Sequence, residues 1–318
     1  RQRQMCIRDR SRAYGNPYCF TTPRYPTPAA YLEGMGSYHL LGRDGAPRVA
    51  WWRPLLEFVV VLILFFGIYA AMLALFSAAD QFFNPSVKAM GEFEFVDTPW
   101  LALAAGSIEA ATIPAAFIAA WLRGRRPSAL WSVERRFRWR IFGIALVPAL
   151  VAFGAELGYT LWRSEPADGA FTAENFGALC ILVALIPLQA LSEELVFRGS
   201  LVQAVGQWTR SPWVAYLVPA FMFVSVHDYG WRGQLSVATF ALCGAFLTWA
   251  TGGLEASLAV HAVANTLAIL PDPFHVPVAG LAEATVGDAV ASIGATVLAT
   301  AAIWWLVASG TAAKSRRS

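Results

Sequence analysis

Eight apolar stretches of roughly membrane-spanning length recur along the chain, at about 55–79, 99–122, 141–163, 177–207, 212–229, 234–251, 254–270 and 285–309. A bilayer's hydrocarbon core is about 30 Å thick and offers no water to satisfy a peptide group. A run of this length must therefore close its hydrogen bonds internally, as a helix. The fourth stretch is long, about 45 Å at 1.5 Å per residue, and the fifth and seventh are short. Composition agrees: the 318 residues are 57% hydrophobic and 14% charged, against roughly 45–50% and 25% in a soluble domain. The expected fold is an all-α polytopic membrane protein of about eight transmembrane helices. No internal repeat is visible, and no linker divides the chain in two. Four cysteines, Cys6, Cys19, Cys180 and Cys243, are too few and too scattered for a disulfide scaffold. A net charge of +3 gives no reason to expect a nucleic-acid partner.

Residues 1–53 read as a polar N-terminal tail, 54–310 as the transmembrane domain and 311–318 as a basic cytoplasmic tail. The tail lacks the apolar core of a signal peptide. Its first ten residues, with MCIRDR at Met5–Arg10, look like a sequencing-library scar, which puts the natural start at Met35 or upstream. Lys and Arg then orient the spans. The loop between the second and third carries Arg123, Arg125, Arg126, Arg135, Arg136, Arg138 and Arg140 against Glu134 alone, so it is expected in the cytoplasm. Both termini fall on the same side, with Arg43, Arg48 and Arg53 at one end and Lys314, Arg316 and Arg317 at the other. The opposite loops are acidic or neutral, carrying Asp80, Glu92, Glu94 and Asp97, then Glu165, Asp168 and Glu174, then Asp272 and Glu283. Arg163 and Arg232 fall outside, each with an acid nearby, Glu165 and Asp228. Trp51, Trp52, Trp100, Trp121, Trp162, Trp304 and Trp305 sit near span ends, as an aromatic belt does. The Arg-, Ala- and Trp-rich composition suggests a bacterial plasma membrane.

A charge in hydrocarbon costs about 2.5–3.5 kcal/mol or more, so each one needs a reason. The fourth span places Glu193, Glu194 and Arg198 within six positions, in LSEELVFRGS. Glu194 and Arg198 are i and i+4 on one face and suit an ion pair, whose purpose is packing or function. Glu193 points about 100° away, and its own helix supplies no cation. His227 and His261 also lie in apolar context, with Phe223 one turn before the first and Asn265 one turn after the second. An imidazole and an amide on one face offer donors to a developing oxyanion. Glu109 and Glu156 are solitary acids within spans two and three and read as structural. Glu57, near a boundary, reads as a snorkelling side chain. On a simple count His227 lies near the outer end of span five while Glu193 lies mid-span. Their meeting requires tilt, a long fourth helix or a fifth span that stops short.

Other membrane chemistries lack their signatures. There is no HExxH helix, no GxSG nucleophile, no GxGD pair, and no Walker or dinucleotide motif, and so no case for a nucleotide partner. Matched broken helices in inverted repeats, the mark of many transporters, are also missing.

Glu193, Glu194 and Arg198 together resemble the EExxxR motif of the CPBP family (Abi, or CAAX protease and bacteriocin-processing) of intramembrane proteases. Phe223 with His227 is similar to that family's FxxxH, and His261 with Asn265 to its HxxxN. All three motifs occur in the family's order, and the helix count is similar to the Rce1-like bundle. The resemblance implies an intramembrane endopeptidase cutting a membrane protein or peptide substrate. It implies that Glu193 and His227 activate a water, that His261 and Asn265 hold the oxyanion, and that Glu194 and Arg198, with Phe223, support them. The family is often labelled as metalloproteases. Glu193, His227 and His261 are candidate ligands for a divalent metal such as zinc, and a metal-free site fits the same residues, with Asn265 reading more naturally as an oxyanion donor. A non-catalytic immunity or scaffold protein and a transporter lined by Glu109, Glu156 and Glu193 remain as rivals.

Overall fold

The computed structural model describes residues 37–43, 50–83, 96–165, 171–278, 281 and 283–315. The expected scar, the Met35 start, Arg48, Glu92, Glu94, Asp168, Arg316 and Arg317 lie outside the described residues, as do the side chains of Asp80 and Lys314. The helices are α1 (Trp52–Phe83), α2 (Pro99–Ala110), α3 (Pro114–Leu122), α4 (Trp139–Arg163), α5 (Ala173–Glu193), α6 (Leu201–Trp208), α7 (Pro212–Ser225), α8 (Trp231–Thr251), α9 (Glu255–Ile269) and α10 (Val286–Ser315). One isolated bridge, Ser132 to Gly253, is the nearest thing to a strand among the described residues. The all-α expectation holds.

Six helices are long and apolar enough to cross a bilayer: Trp52–Ala79, Pro99–Leu122, Trp139–Arg163, Ala173–Trp208, Trp231–Thr251 and Val286–Ser309. The expected fifth and seventh spans are α7 and α9, of 14 and 15 residues. At 1.5 Å per residue these reach about 21–23 Å, short of the roughly 30 Å core. Among the described residues six helices thus have full spanning length, and the count of eight is not confirmed.

Two further departures have local causes. The second span is broken between α2 and α3, at residues 111–113. Pro114 brings no N–H to the ladder, while the Thr112 hydroxyl donates back to the Glu109 carbonyl at 2.7 Å. The fourth span runs on through a π-helical stretch, Glu194–Ser200, every residue of which is buried. There the Leu201 N–H donates to the carbonyl of Val196, five residues back. This wider turn adds a residue per loop and marks functional sites in many helices.

The π-helical stretch lies in the main apolar cluster, where Leu195, Val196, Phe197 and Leu201 meet Phe65, Ala116, Leu130 and Phe223. A second cluster joins α4, α9 and α10 through Phe153, Val260 and Ile303. Part of the N-terminal tail belongs to the core. Tyr38 opens a short 3₁₀ helix, is fully buried, and donates to the Leu130 carbonyl at 2.5 Å. Burial raises its phenol well above the ordinary tyrosine range, which keeps it a donor. Glu57 does not snorkel. It is 1% exposed and paired with Arg125, and Gln207 donates to its other oxygen at 2.9 Å. Arg163 pairs with Asp288 at 3.5 Å rather than with the expected Glu165.

Helix α2 packs closely along α5. A Cβ on Gly106 would stand 2.5 Å from the Leu185 Cβ, closer than side-chain carbons approach. Gly106→Ala is expected to push the helices apart and cost about 1–3 kcal/mol. Its detergent-solubilised melting temperature should fall, and an unchanged melt would mean that α2 can slide freely.

Candidate active site

The three motifs stand on, or just beyond the end of, separate helices, and the fold turns all three toward one cavity of about 700 Å³. Glu193, the last residue of α5, is 7% exposed and lines it, as do Phe223, His227, His261 and Asn265. Glu194 and Arg198 do not line it. They stand behind, in the π-helical stretch.

The adjacent glutamates have separate partners, as their helical angle requires. Glu194 Oε1 is 2.8 Å from His261 Nδ1 and 3.1 Å from Arg198 Nη1. The Arg198 contact is ionic without the direction of a hydrogen bond, since its guanidinium donors find no directed acceptor. Instead the guanidinium carbon lies 4.0 Å from the Phe223 ring centroid, where a cation meets the negative face of the ring. Phe223 thus joins Arg198 to the histidines, its centroid 4.5 Å from that of His227 and 6.0 Å from that of His261.

Glu193 Oε1 accepts from Gln189 Nε2 at 2.6 Å. Its other oxygen, Oε2, is buried without a hydrogen-bond partner and lies 3.5 Å from His261 Nε2. Gln189 Oε1 accepts in turn from Asn265 Nδ2 at 3.0 Å. One amide therefore ties the glutamate to the asparagine across two helices. Nothing in the sequence marks Gln189, apart from its place one turn before Glu193. Gln189→Leu should leave folding intact and lower turnover about tenfold or more by freeing both partners, a loss on the scale of other outer-shell ligands. Steady-state kinetics on the purified variant decide it: full turnover would make the amide dispensable.

His227 is not on a helix. Helix α7 ends at Ser225, and His227 Nδ1 lies 2.6 Å from the Phe223 carbonyl just beyond the end. A fifth helix that stops short is thus what brings His227 to the cavity that Glu193 lines. Two acids expected to be structural are here as well, because Glu109 and Glu156 both line the cavity. Tyr229 lines it too, and burial beside the Glu193 and Glu109 carboxylates holds its phenol above the ordinary range.

The candidate metal ligands Glu193, His227 and His261 all line this cavity. Among the described residues no group of three or more His, Cys, Asp or Glu side chains is placed to hold a metal ion. Nδ1 of His261 is engaged by Glu194, and Nδ1 of His227 by a backbone carbonyl. Glu194 fixes a proton on His261 Nδ1. Nε2 then donates only when the ring is an imidazolium, a form that an adjacent carboxylate favours.

Among curated proteins, the chain is similar to an uncharacterized protein, YyaK, of Bacillus subtilis (strain 168), 34% identical over 104 residues. The match covers 30% of this chain, and the chain spans about a third (34%) of that relative's length. No solved structure matches. Over residues 175–267, which hold Glu193, Glu194, Arg198, Phe223, His227, His261 and Asn265, the chain matches the Rce1-like family, described as type II CAAX prenyl endopeptidases.

Proposed function

We propose that the protein is an intramembrane endopeptidase that cuts peptide bonds of membrane-associated substrates. The observation that carries this reading is Glu193 Oε2, a buried carboxylate oxygen with no hydrogen-bond partner, facing a cavity beside His261 Nε2. An unsatisfied buried acceptor costs about 1–3 kcal/mol; Glu194 Oε2 is unpaired too, but only Glu193 lines the cavity, where water and substrate can reach it. In the reaction Glu193 takes a proton from water, with His227 orienting that water from the opposite wall. The hydroxide bonds to the scissile carbonyl carbon, and the carbonyl electrons move to its oxygen. His261 Nε2 and the second N–H of Asn265 donate to this oxyanion, each worth roughly 3 kcal/mol. Arg198 and Phe223 hold Glu194 and the two rings in place, and the Glu194 carboxylate orients His261 through Nδ1.

A prenylated CAAX peptide is the first probe, because the family match names that substrate class. A divalent metal such as zinc is not assigned to these residues. The plasma membrane of a bacterium, with both termini cytoplasmic, is the proposed location, and the arginine-rich loop between α3 and α4 is the reason for that orientation. The test compares membrane proteomes of cells carrying wild-type protein and Glu193→Gln, seeking a precursor that accumulates uncut in the variant. The rival ion-pathway reading draws on Glu109, Glu156 and Glu193 sharing one cavity. Proton flux across liposomes that persists without peptide cleavage would select it.

A further inference from the structure

The second acid at the cavity has no place in the reaction as written above. Its position follows from helix packing. Pro99 of α2 abuts Gly177 of α5, where an added Cβ would meet the proline Cγ at 3.2 Å, and Gly106 abuts Leu185. Contacts at 99 with 177 and at 106 with 185 advance together, so the two helices run parallel and nearly in register. Glu109, three residues beyond Gly106, therefore comes level with the turn that carries Gln189 and leads to Glu193. Pro114 and Thr112 break the helix immediately after it, and its carboxyl lines the cavity. Glu109 lies close enough to Glu193 for its charge to act on it, as do Arg198 and Glu194. Among the described residues no Lys or Arg lines the cavity, and Arg198 is already engaged by Glu194. His227, His261, Asp228, Glu156, Tyr229 and Asp288 also line the cavity, and two carboxyls beside each other with no Lys or Arg between them hold one proton rather than both ionise.

We propose that Glu109 is the proton-relay partner of Glu193, and that the working site is this carboxyl pair holding a single proton. The inference rests on the hydrolase reading above. The steps balance. The pair begins with one proton and one negative charge. Glu193 takes a second proton from the attacking water as the oxygen–carbon bond forms, and the charge passes to the oxyanion. The tetrahedral adduct then collapses, the carbon–nitrogen bond breaks, and its electron pair goes to nitrogen. The pair gives one proton to that nitrogen and returns to its starting state. Without Glu109, Glu193 must do both transfers alone, while its proton can be lost to any water in the cavity.

The test uses the purified full-length chain in liposomes with an internally quenched prenylated CAAX peptide, and compares wild type, Glu109→Gln, Glu109→Asp and Glu193→Gln over a pH series. Glu109→Gln is expected to lower kcat roughly a hundredfold, the lower range of general acid–base contributions. It should also abolish the high-pH limb of the rate profile, which in wild type reports loss of the shared proton. Glu109→Asp should restore that limb in part, which a merely structural carboxyl would not do. Infrared difference spectra, which need no substrate, should show a protonated-carboxyl band at neutral pH in wild type and not in Glu109→Gln. A band of equal strength in both would overturn the relay. So would a Glu109→Gln enzyme with normal kcat and both limbs, when Glu193→Gln is inactive. If Glu193→Gln also cuts normally, the reading of Glu193 as the base falls, and the relay with it.

Discussion

Glu193→Gln is expected to lower cleavage of a prenylated CAAX peptide by about 10²–10⁴-fold, the range attributed to a positioned general base, while the protein folds and elutes as wild type. Folding should survive for a specific reason. Oε1, the oxygen that accepts from Gln189, is retained in glutamine, and the amide that replaces Oε2 has the same size and brings no new charge. The two properties separate here as they do not at Glu194, whose one carboxyl serves both His261 and Arg198. A loss of kcat with KM unchanged is the expected split, because the base acts on the transition state rather than on substrate binding. Full cleavage by a folded Glu193→Gln protein would sink Glu193 as the general base.

Arg138→Ala is expected to destabilise the fold by about 3–5 kcal/mol, the usual effect of leaving one charge of a buried pair uncompensated. Arg138 Nη2 meets Glu255 Oε2 at 2.6 Å, Nε meets Oε1 at 3.0 Å, and Nη1 donates to the Thr251 carbonyl at 2.8 Å. Side chains on both sides are 5% exposed or less. The pair ties the arginine-rich loop to the first turn of α9, the helix that carries His261 and Asn265 further along. Gly252, in the left-handed conformation at φ 69°, makes the tight turn that brings α9 back against that loop. Chemical denaturation in detergent reads the loss, and activity should fall with it as the His261–Asn265 face loses its anchor. The double variant Arg138→Met with Glu255→Leu should be markedly more stable than Arg138→Ala, because neither charge is then stranded. A single variant as stable as wild type would mean that water reaches the pair.

Much of the site was legible in the sequence. Charges that a bilayer expels had to be gathered somewhere, and Glu193, His227, His261 and Asn265 do line one cavity. The Glu194–Arg198 spacing foretold their contact, since i and i+4 meet on any helix. Gln189 and Glu109 were not legible as parts of the site. Gln189 meets Asn265 across 76 residues of sequence, and the register of α2 on α5 brings Glu109 beside Glu193, a pairing that no periodicity encodes. Glu57 misled for the same reason, because its partner Arg125 is 68 residues away.

By itself, then, the sequence determined the solvent and the secondary structure. Hydrocarbon leaves a chain this apolar only the helix, and the scarce charges point to the site. Helix lengths and the π-helical turn depended on neighbours. Only the tertiary structure decided that α7 ends at Ser225 and that His227 and Glu193 line one cavity, with Glu109 beside Glu193. Those relations are set by packing between helices distant in the chain, where a glycine's missing Cβ or a single buried ion pair fixes which side chains meet.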